Sequence, residues 1–237
     1  MSERFIRTEM LMGQDAVGRL SSAHVAVFGI GGVGGYIAEV LARSGVGKID
    51  LIDNDRVSIS NMNRQIIATD QTVGSFKVDA FAERIMHINP ECTVTVSKLF
   101  YLPENANQFA YGSYDYIADA MDTVTAKLQL AEEAQRASVP IISAMGTGNK
   151  FDASKLRIDD IYNTSVCPLA RIMRKECRRR GIQLLKVVYS TEEPITPAVT
   201  DEVSSKRRIP GSVPWVPAVA GLLMAGEIIL DLTKKYR

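Results

Sequence analysis

The stretch that most constrains this chain runs from residue 25 to residue 53. It opens on an apolar run, His24-Val-Ala-Val-Phe28, that reads as a buried strand. A glycine turn follows, Gly29-Ile-Gly31-Gly32-Val-Gly34, and then an apolar-periodic segment from Tyr36 to Ser44 that predicts a helix. A second strand, Lys48-Ile-Asp-Leu-Ile-Asp53, ends on an acid. Strand, glycine turn, helix, strand and terminal acid, in that order, make a nucleotide-binding βαβ unit. Gly29, Gly31, Gly32 and Gly34 let the turn tighten and let backbone approach a phosphate. The helix start offers unpaired N–H groups and the positive end of its dipole. Asp53 stands where ribose hydroxyls would be received.

The rest of the chain repeats the alternation. A helix is predicted from Phe76 to His87, with Phe76, Ala80, Ile85 and Met86 on its apolar side, then strands at 93–97 and 114–119. A helix over 124–137, opened by Thr123 as its N-cap, and a strand over 139–144 follow. This predicts an α/β fold: a doubly wound, mostly parallel sheet with a Rossmann-like nucleotide-binding half at about 20–145. Residues 146–237 read as a mixed β/α portion of the same single domain, with strands at 155–160 and 183–190 and a helix at 169–180. The stretch 194–211 is polar and proline-rich, and Pro217 suits the first position of a closing apolar helix. That helix is interrupted by Glu227, so a buried or dimer-interface role is preferred over a membrane span, and peripheral membrane contact is not favoured. Two short helices, broken at Gly13, are expected over residues 3–20.

Composition narrows the setting. Three cysteines, Cys92, Cys167 and Cys177, lack CxxC spacing, which argues against a disulfide framework and against structural zinc. The N-terminus shows no apolar signal region, so a reducing cytoplasm is expected. Net charge is +1, but residues 1–170 carry 15 Lys/Arg against 20 Asp/Glu, while residues 171–237 carry 13 against 7. A polyanionic partner therefore belongs to the C-terminal third.

Between the two halves lies a long polar loop containing Asn61-Met-Asn-Arg64-Gln65 and Gly74-Ser-Phe-Lys77. Arg64 can fork hydrogen bonds to phosphate oxygens, and Lys77 is a point charge for the same anion. Lys77 falls in a first helical turn, where a cation is unfavourable unless an anion is near. Asp122, after a predicted strand, can hold Mg²⁺ through one carboxylate, leaving the other positions to water and phosphate. Asp55 either assists the metal or closes a turn. With Asp53 on the ribose, these groups describe an ATP site; the GxxxxGK[ST] loop is absent.

Taken together, Gly29 to Gly34, Asp53-Asn-Asp55, Asn61 to Gln65, Gly74 to Lys77 and Asp119-Ala-Met-Asp122 resemble the adenylating domain of the ubiquitin-activating superfamily, which includes the ThiF and MoeB sulfur-carrier adenylyltransferases. The resemblance spans roughly residues 4–144, with residues 216–232 similar to the closing helix. Within it, residues 84–96 and 61–65 look most like the tRNA threonylcarbamoyladenosine dehydratase branch. The resemblance implies ATP and Mg²⁺ as cofactors. Asp53 would take the ribose, Asn61, Arg64, Gln65 and Lys77 the phosphates, Asp122 the metal, and Thr123 would lie beside it. It further implies a homodimer, with Arg7 supplied across the interface, and a reaction in which a carboxylate attacks the α-phosphate to give an acyl adenylate. In the dehydratase branch that carboxylate belongs to threonylcarbamoyladenosine in tRNA, and intramolecular attack expels AMP. The chain lacks the paired CxxC motifs of many sulfur-carrier enzymes, and beyond residue 145 it departs from the best-known dehydratases.

Several readings stay open. Arg171, Arg174, Lys175 and Arg178 share one helical stripe, extended by Arg179, Arg180 and residues 206–208; it suits tRNA phosphates or is a solvated face. Cys167 is a loop thiol that would accept an acyl group if a thioester forms, or a packing residue. Trp215, Phe100 and Tyr101 either stack on bases or belong to core and interfaces. His24 and His87 read as structural. Rival functions are adenylation of a ubiquitin-like sulfur carrier, with sulfur-relay proteins as partners, and a non-catalytic dinucleotide sensor.

Overall fold

The computed structural model describes residues 3–196 and 210–234. Residues 206–208, and all but the ends of the proline-rich stretch, lie outside the described residues. Helices α1 (Ile6–Met12) and α2 (Gln14–Ser21) are separated at Gly13, whose φ of 84° a side chain would resist. Seven strands then form one sheet in the order β3-β2-β1-β4-β5-β7-β6. At its centre β1 (His24–Phe28) pairs in parallel with β2 (Lys48–Ile52) on one side and β4 (Tyr116–Asp119) on the other. β3 (Thr93–Ser97) extends the β2 side; β5 (Ile141–Ala144) and β7 (Lys186–Ser190) extend the β4 side, all in parallel. β6 (Leu156–Asp160) closes the edge antiparallel to β7. The chain reverses direction across the sheet between β1 and β4, which is where doubly wound sheets bind ligands.

The central strands read as unbroken apolar runs because helices cover both faces. Val25 and Val27 point into one core with Ile37, Leu41 and Phe81, whereas Ala26 and Phe28 point into another with Ile117, Tyr101 and Leu130. A third cluster, built on Met173, Cys177 and Val187, seats α6 (Pro168–Arg180) against α5 (Val124–Ala137). Burial pushes the thiols of Cys92 and Cys177 up to about 11, so both are inert packing groups at neutral pH.

Two expectations need correction. Met86 is 61% exposed and leaves the apolar face of α4 (Lys77–Ile88), because Val78, Phe81 and Ile85 already fill it. The closing helix, α7, starts at Trp215 and runs to Thr233, so Pro217 is its third residue; a proline is still tolerated there, since first-turn N–H groups have no helical acceptor. Thr123 does hold the N-cap position of α5, as expected, but its side chain makes no capping hydrogen bond.

Helix α7 is long and apolar enough to cross a membrane by length and composition, yet most of its apolar window is buried in the protein. It lies along α3 (Gly34–Arg43), and Glu227 and Asp231 both reach the Lys186 ammonium, at 2.7 and 2.6 Å, tying it to β7. At the crossing, a Cβ on Gly221 would sit 2.4 Å from the Val33 carbonyl oxygen. Gly221→Ala should therefore cost about 1–3 kcal/mol through overpacking, read as a lowered Tm in thermal denaturation.

The α3–α4 contact carries a buried carboxylate, Glu39, bonded by Arg84 at 2.6 and 2.9 Å and by Arg43 at 2.8 Å. Burial by itself raises the pKa of this group, but the two arginines outweigh it and hold it below its usual 4.5. A depressed carboxylate stabilises the fold fully above its unfolded value and stops doing so as pH falls through the folded one. Urea denaturation across acid pH should show this loss below about pH 4.5, and Glu39→Gln should flatten that part of the curve.

Candidate active site

The site begins at the glycine turn after β1. Gly29 has φ 87°, and a Cβ there would strike the Ala120 carbonyl oxygen at 2.8 Å. A Cβ on Gly34 would meet the Gly29 oxygen at 1.8 Å. These two glycines let the turn press against the end of β4. Gly31 differs: the nearest atom to its missing Cβ is Gln65 Nε2 at 4.0 Å, so its bare backbone faces open space. Asp53, just past β2, accepts hydrogen bonds from the Ile30 N–H at 2.7 Å and the Asp55 N–H at 2.8 Å. Its carboxylate thus fixes the turn to the end of β2 and keeps lone pairs free for a further donor.

Beyond the strand ends lies a crevice of about 550 Å³. Gly29, Gly31, Gly32, Asp53, Asp55, Asn61, Arg64, Gln65, Lys77, Asp122 and Thr123 all line it, so the structure brings together every candidate nucleotide ligand except Gly34, which is spent on the turn. Asn61 is buried and accepts from the Ser58 N–H at 3.2 Å. Arg64 donates through Nη1 to the Ser60 carbonyl at 2.8 Å and to Asn63 at 2.9 Å. Gln65 is 6% exposed and its Oε1 has no partner, an acceptor that a hydroxyl of a bound nucleotide would satisfy. Lys77 is 5% exposed at the first turn of α4, and the anion that offsets its placement is Asp55, 2.7 Å away. Asp55 also receives α4 through its carbonyl, which accepts the Lys77 N–H at 3.0 Å.

Asp122 is exposed on the crevice wall, with the Thr123 hydroxyl 3.4 Å from its Oδ1. Among the described residues no three His, Cys, Asp or Glu side chains are grouped as a metal cage. A single exposed carboxylate on the crevice wall could hold Mg²⁺, with water and phosphate as the metal's other ligands.

Sequence reasoning missed what supports Asp122. Asp119 and Lys127 are both fully buried and their charges meet at 2.9 Å. The Ser143 hydroxyl donates to Asp119 at 2.6 Å, the Met121 N–H donates to it at 3.2 Å, and Lys127 donates to the Met121 carbonyl at 3.0 Å. The loop carrying Asp122 is therefore held from below by an ion pair. A lysine flanked by Ala126 and Leu128 on the inner face of α5 was the available signal. Also unforeseen is the wall on the β5 side, where Gly146, Thr147, Gly148, Leu169, Pro210 and Ser212 line the crevice.

Other candidates lie elsewhere. Arg7 is exposed on α1 and does not line the crevice of its own chain. The basic stripe of α6 is divided. Arg174 turns inward to the Thr164 carbonyl and hydroxyl, at 2.7 and 2.6 Å, whereas Arg171, Lys175 and Arg178 are exposed, Arg178 lying over the Tyr162 ring. Cys167 is 2% exposed at the N-cap of α6 and packs behind Gly146, out of the crevice; this geometry favours packing over acyl transfer. Tyr101 is core, bonded to Tyr111 at 2.8 Å, and Phe100 is exposed; both line the crevice. His24 is structural, placed between the Asp50 carboxylate and the Ser113 carbonyl.

A doubly wound sheet with a glycine turn, an acid at the end of β2 and a cationic loop at its switch point defines a nucleotide-binding α/β protein. More narrowly, the chain belongs to the ThiF family, whose sequence model matches residues 5–236. It is 42% identical over 244 residues to a tRNA threonylcarbamoyladenosine dehydratase of Bacillus subtilis (strain 168), covering 99% of this chain and 96% of that one. It is 36% identical over 142 residues to a molybdopterin-synthase adenylyltransferase of Salmonella typhimurium, covering 59% and 57%. Among solved structures it is similar to the Escherichia coli tRNA threonylcarbamoyladenosine dehydratase in complex with ATP, with a TM-score of 0.89, 34% identity and coverage of 98% and 95%.

Breaking the buried pair tests its role. Lys127→Met leaves the Asp119 carboxylate uncompensated and should cost about 3–5 kcal/mol in urea denaturation. Adding Asp119→Asn to Lys127→Met should recover most of that loss.

Proposed function

We propose that this protein uses ATP to dehydrate threonylcarbamoyladenosine in tRNA, by adenylating its carboxylate. The observation that carries the reading is the crevice itself: Arg64, Lys77 and Asp122 face a bare glycine turn, in a chain similar over nearly its full length to dehydratases, one of them solved with ATP. The ribose would bind Asp53, and the phosphates would lie between the Gly31–Gly32 backbone, Asn61, Gln65, Arg64 and Lys77. Lys77 would exchange its contact with Asp55 for one with phosphate, or bridge the two. Mg²⁺ on Asp122 would neutralise charge building on the phosphates.

The chemistry is two displacements at one site. A carboxylate oxygen of the threonyl group attacks the α-phosphorus, an O–P bond forms, and pyrophosphate leaves. An atom of the tethered carbamoyl group then attacks the activated carbonyl carbon, closing a ring and expelling AMP. The net change is loss of one water's worth of atoms at the expense of ATP. Both reacting groups of the second step belong to one nucleoside, so no side-chain nucleophile is required. Arg64 and Lys77 supply fixed positive charge where negative charge develops.

Arg7 enters this scheme only from a second copy. Helix α1 carries Ile6, Met10 and Leu11 at 54%, 81% and 90% exposure, an apolar face suited to a homodimer interface that would bring Arg7 to a neighbouring crevice. Of the α6 stripe, exposed Arg171, Lys175 and Arg178 would be available to tRNA phosphates, with Arg179 beside them. A cytoplasmic location accompanies the reading. Adenylation of a sulfur-carrier protein is the alternative, supported by the shorter match to the molybdopterin-synthase enzyme.

The test is ATP-to-AMP turnover that depends on tRNA carrying threonylcarbamoyladenosine, with mass spectrometry of the nucleosides showing loss of one water. Arg64→Ala, Lys77→Ala and Asp122→Ala should each lower kcat about 10²–10³-fold without changing far-UV circular dichroism. Full activity in any two of them, or turnover that follows a small carrier protein instead of tRNA, overturns the assignment.

A further inference from the structure

Phe151 and Trp215 stand out as half-exposed aromatics on the β5 side of the crevice, at 56% and 48% exposure. Their ring centroids are 6.3 Å apart with the planes inclined at 31°, so they present adjoining faces and do not cover each other. Neither ring hangs from a loose segment. Trp215 is the first residue of α7, and its Nε1–H donates to the Phe151 carbonyl at 2.6 Å. The Phe151 N–H donates to Glu192 at 3.0 Å. One pair upstream, Asn149 and Gly211 exchange two hydrogen bonds, each 2.7 Å: the Asn149 N–H to the Gly211 carbonyl, and the Gly211 N–H to Asn149 Oδ1. Asn63, from the Arg64 loop, donates to the Ser212 carbonyl at 2.9 Å.

These bonds zip residues 148–151 to residues 210–215. The inner end of the zipper, Gly148, Pro210 and Ser212, is crevice wall, and its outer end is the aromatic pair. Strands β2, β1, β4 and β5 are consecutive, so the pair stands on the side of the crevice three strand positions from Asp53. A nucleotide seated by its ribose on Asp53 thus leaves this side for the molecule that brings the carboxylate.

We propose that Trp215, with Phe151, is a stacking platform for the base of single-stranded RNA that adjoins the reacting nucleoside. This rests on the function proposed above. An adenosine whose side group must reach the α-phosphate has to leave its stack and enter the crevice, which strands its neighbour at the rim. A fixed aromatic face restores stacking to that neighbour without reading its sequence, because every base has a π-face. The indole's only donor is already used on Phe151, so what Trp215 offers is its surface.

Trp215 is the sole tryptophan of the chain, so its emission reports on this surface directly. Titration with an unmodified anticodon stem-loop RNA should quench it, while a fully paired RNA duplex of equal length should not. Trp215→Ala should raise the KM for tRNA by about tenfold to a hundredfold with little change in kcat and with ATP affinity by calorimetry preserved. Trp215→Phe, which keeps a ring but loses the bond to Phe151, should restore most of the loss, whereas a merely structural tryptophan would be rescued no better by Phe than by Leu. Phe151→Ala should raise KM in the same direction. Unchanged emission at saturating stem-loop, or an unchanged KM in Trp215→Ala, overturns the platform. So does a shift of Trp215→Ala from dimer to monomer in sedimentation, which would make this face a contact between copies. Absence of tRNA-dependent turnover in the unaltered protein would instead refute the proposed function, and the stem-loop titration would still decide the platform.

Discussion

A lysine ammonium with no exposed surface neutralises a carboxylate with none at the end of β4, and the crevice depends on that pair. Asp119 terminates a fully buried strand, so its charge needs a partner in the same dry layer, and Lys127 reaches it from the first turns of α5. The same two side chains hold both backbone groups of Met121, its N–H and its carbonyl. The next residue is Asp122. An exposed carboxylate is thereby given a fixed position by a buried one, which is the kind of support that a charge-stabilising site requires.

Around that anchor the crevice is charged in a particular way. Its cations, Arg64 and Lys77, come from the long loop and the helix it leads into, and each is held at rest by an internal acceptor: the Ser60 carbonyl and Asn63 for Arg64, the Asp55 carboxylate for Lys77. The glycine turn supplies backbone without side chains, and Asp53 locks it to β2. The result is a crevice in which two cations, Arg64 and Lys77, share the lining with three carboxylates, Asp53, Asp55 and Asp122, beside bare glycine backbone.

Much of this was legible in the chain. The βαβ unit could be read because a buried parallel strand is a plain apolar run and because glycines and an acid punctuate it at fixed places. The long loop could be read because polar residues so dense between strongly periodic elements are rarely idle. Less legible were contacts made by single residues far apart in sequence. Nothing local says that Asp119 will meet Lys127 and Ser143, that Arg174 will turn to Thr164 and leave the basic stripe divided, or that Cys167 will pack behind Gly146. Met86 shows the same limit on a smaller scale: helical spacing offered it a place on the core face, and the width of that face excluded it.

By itself the sequence determined the class of fold, the order of its elements and the set of polar and charged groups that line the crevice, because these follow from periodicity, from glycine's freedom and from charge placed at element ends. Only the tertiary structure decided which of those groups share a crevice, which cations are already spent on internal acceptors, and what forms the wall on the β5 side. That wall joins residues 146–151 to residues 210–217 through hydrogen bonds across more than sixty positions of chain, such as Gly211 to Asn149 at a separation of 62. No local propensity encodes such a pairing; it exists because the sheet order sets β5 and the start of α7 side by side.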